Sequence, residues 1–371
     1  AGMKASLVSA QVIGYMLSKF IGIKVISEMP AHRRAMVLLG LIAVAEFALV
    51  LFAVVPPPYN MACLFLNGLP LGMVFGLVLG FLEGRNLTEA FVAGLCASFI
   101  IASGVVKSVG AWLLQGGVSE AWMPATAGLI FLLPLFGFVW MLGQIPQPSE
   151  QDINARAARE PMTREDRWQW IRKHWLGLGC IVGGFVLITV LRSVRDDFAP
   201  ELWKELGTTD EPSIFARSEM LVALAVMIAS GLVVIVKNNR RALLTSLGIG
   251  ILGFIIVACA ILGLQGGALG GFAFMVLVGF GLYLPYVVVH TTVFERLIAL
   301  TKDKGNMAYL MYLADAFGYL GYVALMFAGD LFKPETNFLT NFITMCWWVA
   351  GIGAVTFLAA AIVYGRPQRA A

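Results

Sequence analysis

Met61–Leu82, MACLFLNGLPLGMVFGLVLGFL, carries no charged residue along its whole length and stops at Glu83-Gly84-Arg85. As a helix rising about 1.5 Å per residue it is about 33 Å long, enough to cross a hydrocarbon core of about 30 Å. Comparable apolar runs fall near 6–23, 36–55, 90–114, 122–142, 175–194, 219–236, 242–264, 270–294, 306–329 and 338–364. Hydrophobic residues make up 59% of the 371, charged ones 13%, and the mean hydropathy is +0.84, values that leave little room for a soluble chain. Strands of a membrane barrel would alternate in polarity over about 10 residues, and no segment does so. The fold class read here is therefore all-α, a polytopic transmembrane bundle with eleven helices present.

Lys and Arg are retained in cytoplasmic loops, so their distribution orients the chain. Of the 26 basic residues, Lys19, Lys107 and Arg192 lie inside apolar runs, and Lys4, Arg195, Lys204, Arg217 and Lys333 fall to one set of loops; the rest, Arg33-Arg34 and Arg240-Arg241 among them, fall to the other. The richer set is taken as cytoplasmic, which puts the C-terminus inside; the expected location is a bacterial inner membrane. Trp112 and Trp122 flank one outer turn, and Trp140 and Trp175 flank the long inner loop, as membrane-interface anchors do.

The five cysteines, at 63, 96, 180, 259 and 346, lie singly in or beside apolar runs, where they read as small hydrophobes. His32, His174 and His290 form no ligand motif. Neither a phosphate-binding glycine loop nor a nucleophile elbow occurs, so no enzyme activity, cofactor or metal is expected. The net charge of +4 belongs to the inner loops and is not a nucleic-acid footprint.

The longest inner connection divides the chain into an N-terminal bundle (1–142), a cytoplasmic linker (143–174) and a C-terminal six-helix bundle (175–371). In the linker, Thr163 to Asp166 reads as a capping box opening an amphipathic helix with Trp168, Ile171 and Trp175 on one face. Three pairs of features recur at similar offsets: Arg33-Arg34 with Arg240-Arg241, Glu83 with Glu295, and Lys107-x-x-Gly110 with Asp315-x-x-Gly318. They point to a parallel repeat of six helices. The run at 175–194 has no mate within the chain, so a first helix is expected upstream of Ala1 and the full plan is six plus six.

Charged groups within membrane spans cost from a few to more than ten kcal/mol and face a bundle interior or a wet cavity. Lys19, Glu46, Lys107, Arg192 and Asp315 are the candidates for substrate or coupling-ion contact, with Lys19 and Asp315 at similar depth in the inner half. Three bases against two acids favour an anionic or zwitterionic solute. Asn67-Gly-Leu-Pro70-Leu-Gly72 and Gly279-Phe-Gly281-Leu-Tyr-Leu-Pro285 place breakers in corresponding helices, with Asn67, Tyr283 and Tyr286 available to hydrogen-bond a solute. Glu28 with Arg33 and Arg34, Glu83 with Arg85, and Glu295 with Arg296 form clusters at inner helix ends. Two readings of these stand, an inner gate and solvated loop charges. The acidic outer segment after Arg195, from Asp196 to Glu211, contains a short helix starting at Pro200 and ending at Gly207, a candidate lid or partner site.

This plan resembles the major facilitator superfamily over the whole chain, and Gly22, Glu28 and Arg33-Arg34 keep a glycine, an acid and a basic pair of its loop signature between helices two and three. Gln11–Met29, Asn67–Arg85 and Tyr309–Tyr322 also resemble an uncharacterised bacterial family of facilitator-like membrane proteins with no assigned substrate. The resemblance implies two bundles that rock about a central site. The expected function is secondary transport of a small polar solute, an anion favoured, by alternating access, with lipid as the surrounding partner and a proton as a candidate coupling ion. The alternative is a scaffold or sensor without transport.

Overall fold

The computed structural model describes residues 2–27, 29–82, 88–146, 164–208, 211–234, 236–301, 307–328 and 337–365, and these are helical throughout apart from short turns. The helices are α1 Gly2–Ser27, α2 Ala31–Val54, α3 Asn60–Leu82, α4 Thr88–Gln115, α5 Met123–Gly143, α6 Arg164–Asp197, α7 Ala199–Glu205, α8 Ser213–Val234, α9 Asn239–Gln265, α10 Gly271–Thr301, α11 Met307–Ala328 and α12 Phe338–Gly365. Ten are long and apolar enough to cross a membrane. The 26-residue α1 is less apolar because it contains Lys4, Lys19 and Lys24. Only 17% of the most apolar stretch is buried in α2 and in α5, against 67% in α10. The exposed remainder, including Leu133, Phe138 and Trp140, is lipid-facing, and the chain is an integral membrane protein.

Packing pairs recur along the chain. In the front half α1 and α2 both pack on α3, and α2 packs on α5; in the rear half α8 and α9 both pack on α10, and α9 packs on α12. The two principal seams between halves, α1 with α11 and α4 with α8, also exchange under that correspondence. The rear half holds most of the core, with Phe254, Phe274, Phe294, Phe342 and Phe357 each at most 1% exposed. A smaller cluster of Leu38, Leu77 and Val139 joins α2, α3 and α5.

Membranes supply no hydrophobic drive between helices, so the tight contacts rest on small residues. A Cβ at Gly14 would strike the Phe65 carbonyl, and one at Gly68 the Gln11 carbonyl, so α1 and α3 touch backbone to backbone. Gly104 plays the same part where α4 meets Phe215 and Glu219 of α8.

Several expectations change. The linker helix is not a separate surface element, because Arg164–His174 is the beginning of α6; Trp170 on its buried face packs into the core. The same helix runs past residue 194 to Asp197, so Arg195, Asp196 and Asp197 belong to its last turn and not to an outer loop. The reason is that their charges are compensated inside the bundle. Pro70 and Pro285 do not interrupt α3 and α10; the deviation in α10 comes just after its proline, as a π-turn at Val289–Val293. The short helix does form, over Ala199–Glu205, and the Glu205 carboxylate accepts from the Phe338 and Leu339 amides at 3.2 and 2.7 Å, capping α12. Gly207, with φ +75°, closes it.

Gly68→Leu is expected to remove about 1–3 kcal/mol of stability by forcing α1 off α3, seen as a lower melting temperature of the detergent-purified protein. Gly40→Leu, where nothing lies within 4 Å, should leave the melting temperature unchanged.

Candidate functional site

Between the halves lies a cavity of about 180 Å³, and helical periodicity explains which residues reach it. On α1, Tyr15 and Lys19 are four apart; on α4, Cys96, Phe99 and Ser103 follow at three- and four-residue steps; on α6, Arg192 and Asp196 are four apart. On α10, Tyr283, Tyr286 and His290 share a face, and α11 contributes Asp315 and Tyr319. Such spacings stack side chains on one side of a helix. A second cavity of about 170 Å³, reached from Gln11, Gly68, Asp197 and Tyr322, shares Tyr15, Arg192, Asp196 and Tyr319 with the first and extends it away from the ends rich in Lys and Arg.

Lys19 and Asp315 meet at the level nearest the basic end: Nζ donates to Oδ2 at 2.9 Å, with side chains only 2% and 6% exposed. The Lys19 ammonium also sits 5.1–5.4 Å from the ring centres of Tyr15, Phe75 and Tyr312, an aromatic surround that favours a cation. The other Asp315 oxygen lies 3.2 Å from His290 Nε2, while His290 Nδ1 lies 3.1 Å from the Tyr286 carbonyl oxygen. His290 is in the π-turn, whose five residues are all buried. The extra residue of such a turn rotates the following side chains relative to a regular helix.

Arg192 is held differently. Its guanidinium carbon lies 4.7 Å from the Tyr286 ring centre and 5.7 Å from that of Tyr283. Its hydrogen bond to the Tyr319 hydroxyl is long, 3.5 Å, and its buried Nε has no hydrogen-bond partner among the described residues. Among the described residues it forms no ion pair. One turn on, the fully buried Arg195 donates to Glu219 Oε1 at 2.7 Å and to the Met275 carbonyl at 3.0 Å, fixing the rotation of α6 against α8 and α10. Lys107 contacts Asp196 across the α4–α6 seam and Ser103 within its own helix, both at 2.5 Å, and Tyr322 donates to Asp197 at 2.7 Å.

Of the residues singled out from sequence, Lys19, Arg192, Tyr283, Tyr286 and Asp315 line this cavity, and Lys107 touches its wall through Ser103 and Asp196. Asn67 does not line it; it accepts from Gln11 and donates to the Ala45 carbonyl, tying α1, α2 and α3 together. Glu46 faces Gly128 of α5, away from the cavity. At the basic end Arg33 is exposed, Arg34 donates to the Gly80 carbonyl, and Glu295 is partly buried beside Arg296. Arg296 reaches across the seam to Glu89 at 2.9 Å and to Asn239 within its own half. Glu28, Glu83 and Arg85 lie outside the described residues. Tyr15, Glu89, Ser103, His290 and Tyr319 were not singled out for this site, and Asp196 was read only as the start of the acidic outer segment, although Tyr283, Tyr286 and His290 carry a legible one-face spacing.

Several solved structures share this architecture. A D-xylose-proton symporter aligns with a TM-score of 0.62 at 14% identity, covering 97% of this chain and 87% of that one. A major facilitator superfamily proton:xylose symporter bound to 6-bromo-6-deoxy-D-glucose aligns at 0.61 and 15%, covering 95% and 84%. A bacterial homologue of the iron transporter ferroportin, in its outward-facing state, aligns at 0.58 and 16%, covering 96% and 89%. At such identities the likeness establishes the major facilitator fold. Residues 1–367 match a family described as "Family of unknown function (DUF5690)". No curated protein matches the chain.

Breaking a buried pair by removing one partner costs about 3–5 kcal/mol, because the other charge is stranded. Lys19→Met and Asp315→Asn should each destabilise by about that much, and the double variant by less than the sum, as read from a double-mutant cycle of unfolding in detergent.

Proposed function

The chain belongs to this DUF5690 family and has a major facilitator fold, and from that premise we propose that it is a secondary transporter of a small polar anion, working by alternating access. The observation that carries the reading is Arg192: a guanidinium set among three tyrosines, in a cavity between two bundles, that forms no ion pair among the described residues, its cavity neighbour Asp196 being paired with Lys107 instead. A cation so placed recognises a carboxylate or phosphate group through short charge-assisted hydrogen bonds, and the tyrosine hydroxyls add donors around it. The cavity suits a solute of few heavy atoms.

Ion pairs cross the seam on both sides of that cavity. Lys19–Asp315 and Arg296–Glu89 lie toward the basic end, which we take as cytoplasmic; Lys107–Asp196 and Lys4–Glu201 lie toward the other. Rocking two bundles about the centre breaks one set while keeping the other, so each set is a lock for one face. A solute drives the change only through different affinity for the two states, and Arg192 gives it a charge to bind.

Two outcomes are expected. In a panel of small carboxylates and phosphates, at least one raises the melting temperature of the purified protein, and Arg192→Gln weakens that binding by about 10- to 100-fold, the worth of a charged hydrogen bond of about 1.5–3 kcal/mol. In a background with the other four cysteines removed, Cys96, which lines the cavity, serves as reporter. Glu89→Gln with Arg296→Gln raises its labelling by a membrane-impermeant thiol reagent from the basic side, and Lys4→Gln with Lys107→Gln from the other. Labelling that responds from neither side would rule out alternating access.

A further inference from the structure

His290 poses a problem in hydrogen-bond accounting. Its Nδ1 faces the Tyr286 carbonyl oxygen at 3.1 Å, and a carbonyl only accepts, so Nδ1 carries a hydrogen. A neutral imidazole then has a bare lone pair on Nε2. Nε2, however, faces Asp315 Oδ1 at 3.2 Å, and an ionised carboxylate also only accepts. Two acceptors cannot be left facing each other in a site where His290 and Asp315 are 2% and 6% exposed. The contact needs one more proton, either on Nε2 as an imidazolium that donates to Asp315 or on Asp315 as a carboxylic acid that donates to Nε2. Both forms hold one proton beyond the neutral imidazole and carboxylate.

We propose that His290 and Asp315 together form a proton-binding site, loaded in this structure and opening on the central cavity. Both residues line that cavity, so the proton leaves to, and returns from, water within it. No further reactant is required: the N–H or O–H bond breaks, water takes the proton, and its bonding pair stays on nitrogen or oxygen. The surroundings bias the exchange. Lys19 on α1 holds the other Asp315 oxygen and Tyr312 faces Lys19. Tyr15 and Tyr319, in edge contact 4.7 Å apart, and Cys96 of α4 line the same cavity as Asp315. Arg192 sits over the ring of Tyr286, whose carbonyl orients the imidazole.

The use of this site rests on the carrier reading above. Counting Lys19, Asp315 and His290 alone, the loaded cluster carries one net positive charge and the unloaded cluster none. A solute anion at Arg192 is thus drawn to the loaded form, so anion and proton occupy the cavity together. Unloading sets the Nε2 lone pair against the carboxylate, releases Asp315 from α10 and leaves it to Lys19 across the seam. Proton release is in this way tied to the contact that joins the two halves.

The proton can be read without any solute. The chain has three histidines, and His32→Gln with His174→Gln leaves His290 alone without touching the cluster. On that purified variant at neutral pH, nitrogen-15 resonance of the imidazole and the infrared carboxyl region are recorded together. The expected result is one extra proton per chain: either a doubly protonated imidazole, or a protonated carboxyl band that Asp315→Asn abolishes. Raising the pH should remove it in one step, read by nitrogen-15 where the proton sits on the imidazole and by the infrared band where it sits on Asp315. A singly protonated His290 beside an ionised Asp315 at neutral pH would overturn the proposal. Loss of anion binding in the Arg192 experiment, by contrast, leaves this result intact and bears only on the carrier reading.

Discussion

A charge enclosed in a bundle surrounded by hydrocarbon must be answered by another charge, and in this molecule Lys19 is answered from the opposite half. Among the described residues no acid of the front bundle pairs with Lys19; Asp315 on α11 fills that role, 2.9 Å away. Such a pair contributes little net stability when formed but resists losing one partner. It therefore favours two situations, fully paired or fully hydrated, over anything between. Glu89–Arg296 and Lys107–Asp196 repeat the arrangement at other levels of the seam. The halves are joined in good part by interactions that water can replace, which is what a joint that opens requires.

The two halves are not equal in this. The rear one has a continuous aromatic and aliphatic core, and it provides Arg192, Tyr283, Tyr286, His290, Asp315 and Tyr319 to the cavity. Arg195, bound to Glu219 and Met275, pins α6 one turn from Arg192. The rear half is thus the rigid holder of polar groups, and the front half offers Lys19 and Tyr15 on a helix seated against α3 through glycine contacts.

Periodicity and length made the helices legible, because a run such as Met61–Leu82 has no other stable conformation in a bilayer. The offsets between Arg33-Arg34 and Arg240-Arg241 foreshadowed the matched packing pairs. Less could be read where a charge is neutralised by a distant residue. Arg195, Asp196 and Asp197 looked like a loop because three consecutive charges seldom end a membrane helix; Glu219, Lys107 and Tyr322, far off in sequence, make that turn tolerable. His290 was hidden for a different reason. Val289-His-Thr-Thr-Val293 has the letters of an ordinary helix, and nothing in them announces the π-turn that aims the ring at Asp315.

That turn connects the chemistry to the joint. A regular helix could satisfy His290 through Nδ1 and the Tyr286 carbonyl alone, leaving Nε2 to point wherever packing sent it. In α10 the ring is instead confined by Phe185 at 5.0 Å, Tyr286 at 4.5 Å and Phe75 at 6.3 Å between centres. Phe75 belongs to the front half, so the wall that holds the imidazole against Asp315 is shared by both bundles. In the carrier reading proposed above, Lys19 and Phe75 withdraw together when the halves part, and the acid loses its counter-charge as the imidazole loses one of its walls. On that reading proton occupancy and bundle position do not vary independently, since the same few contacts define both.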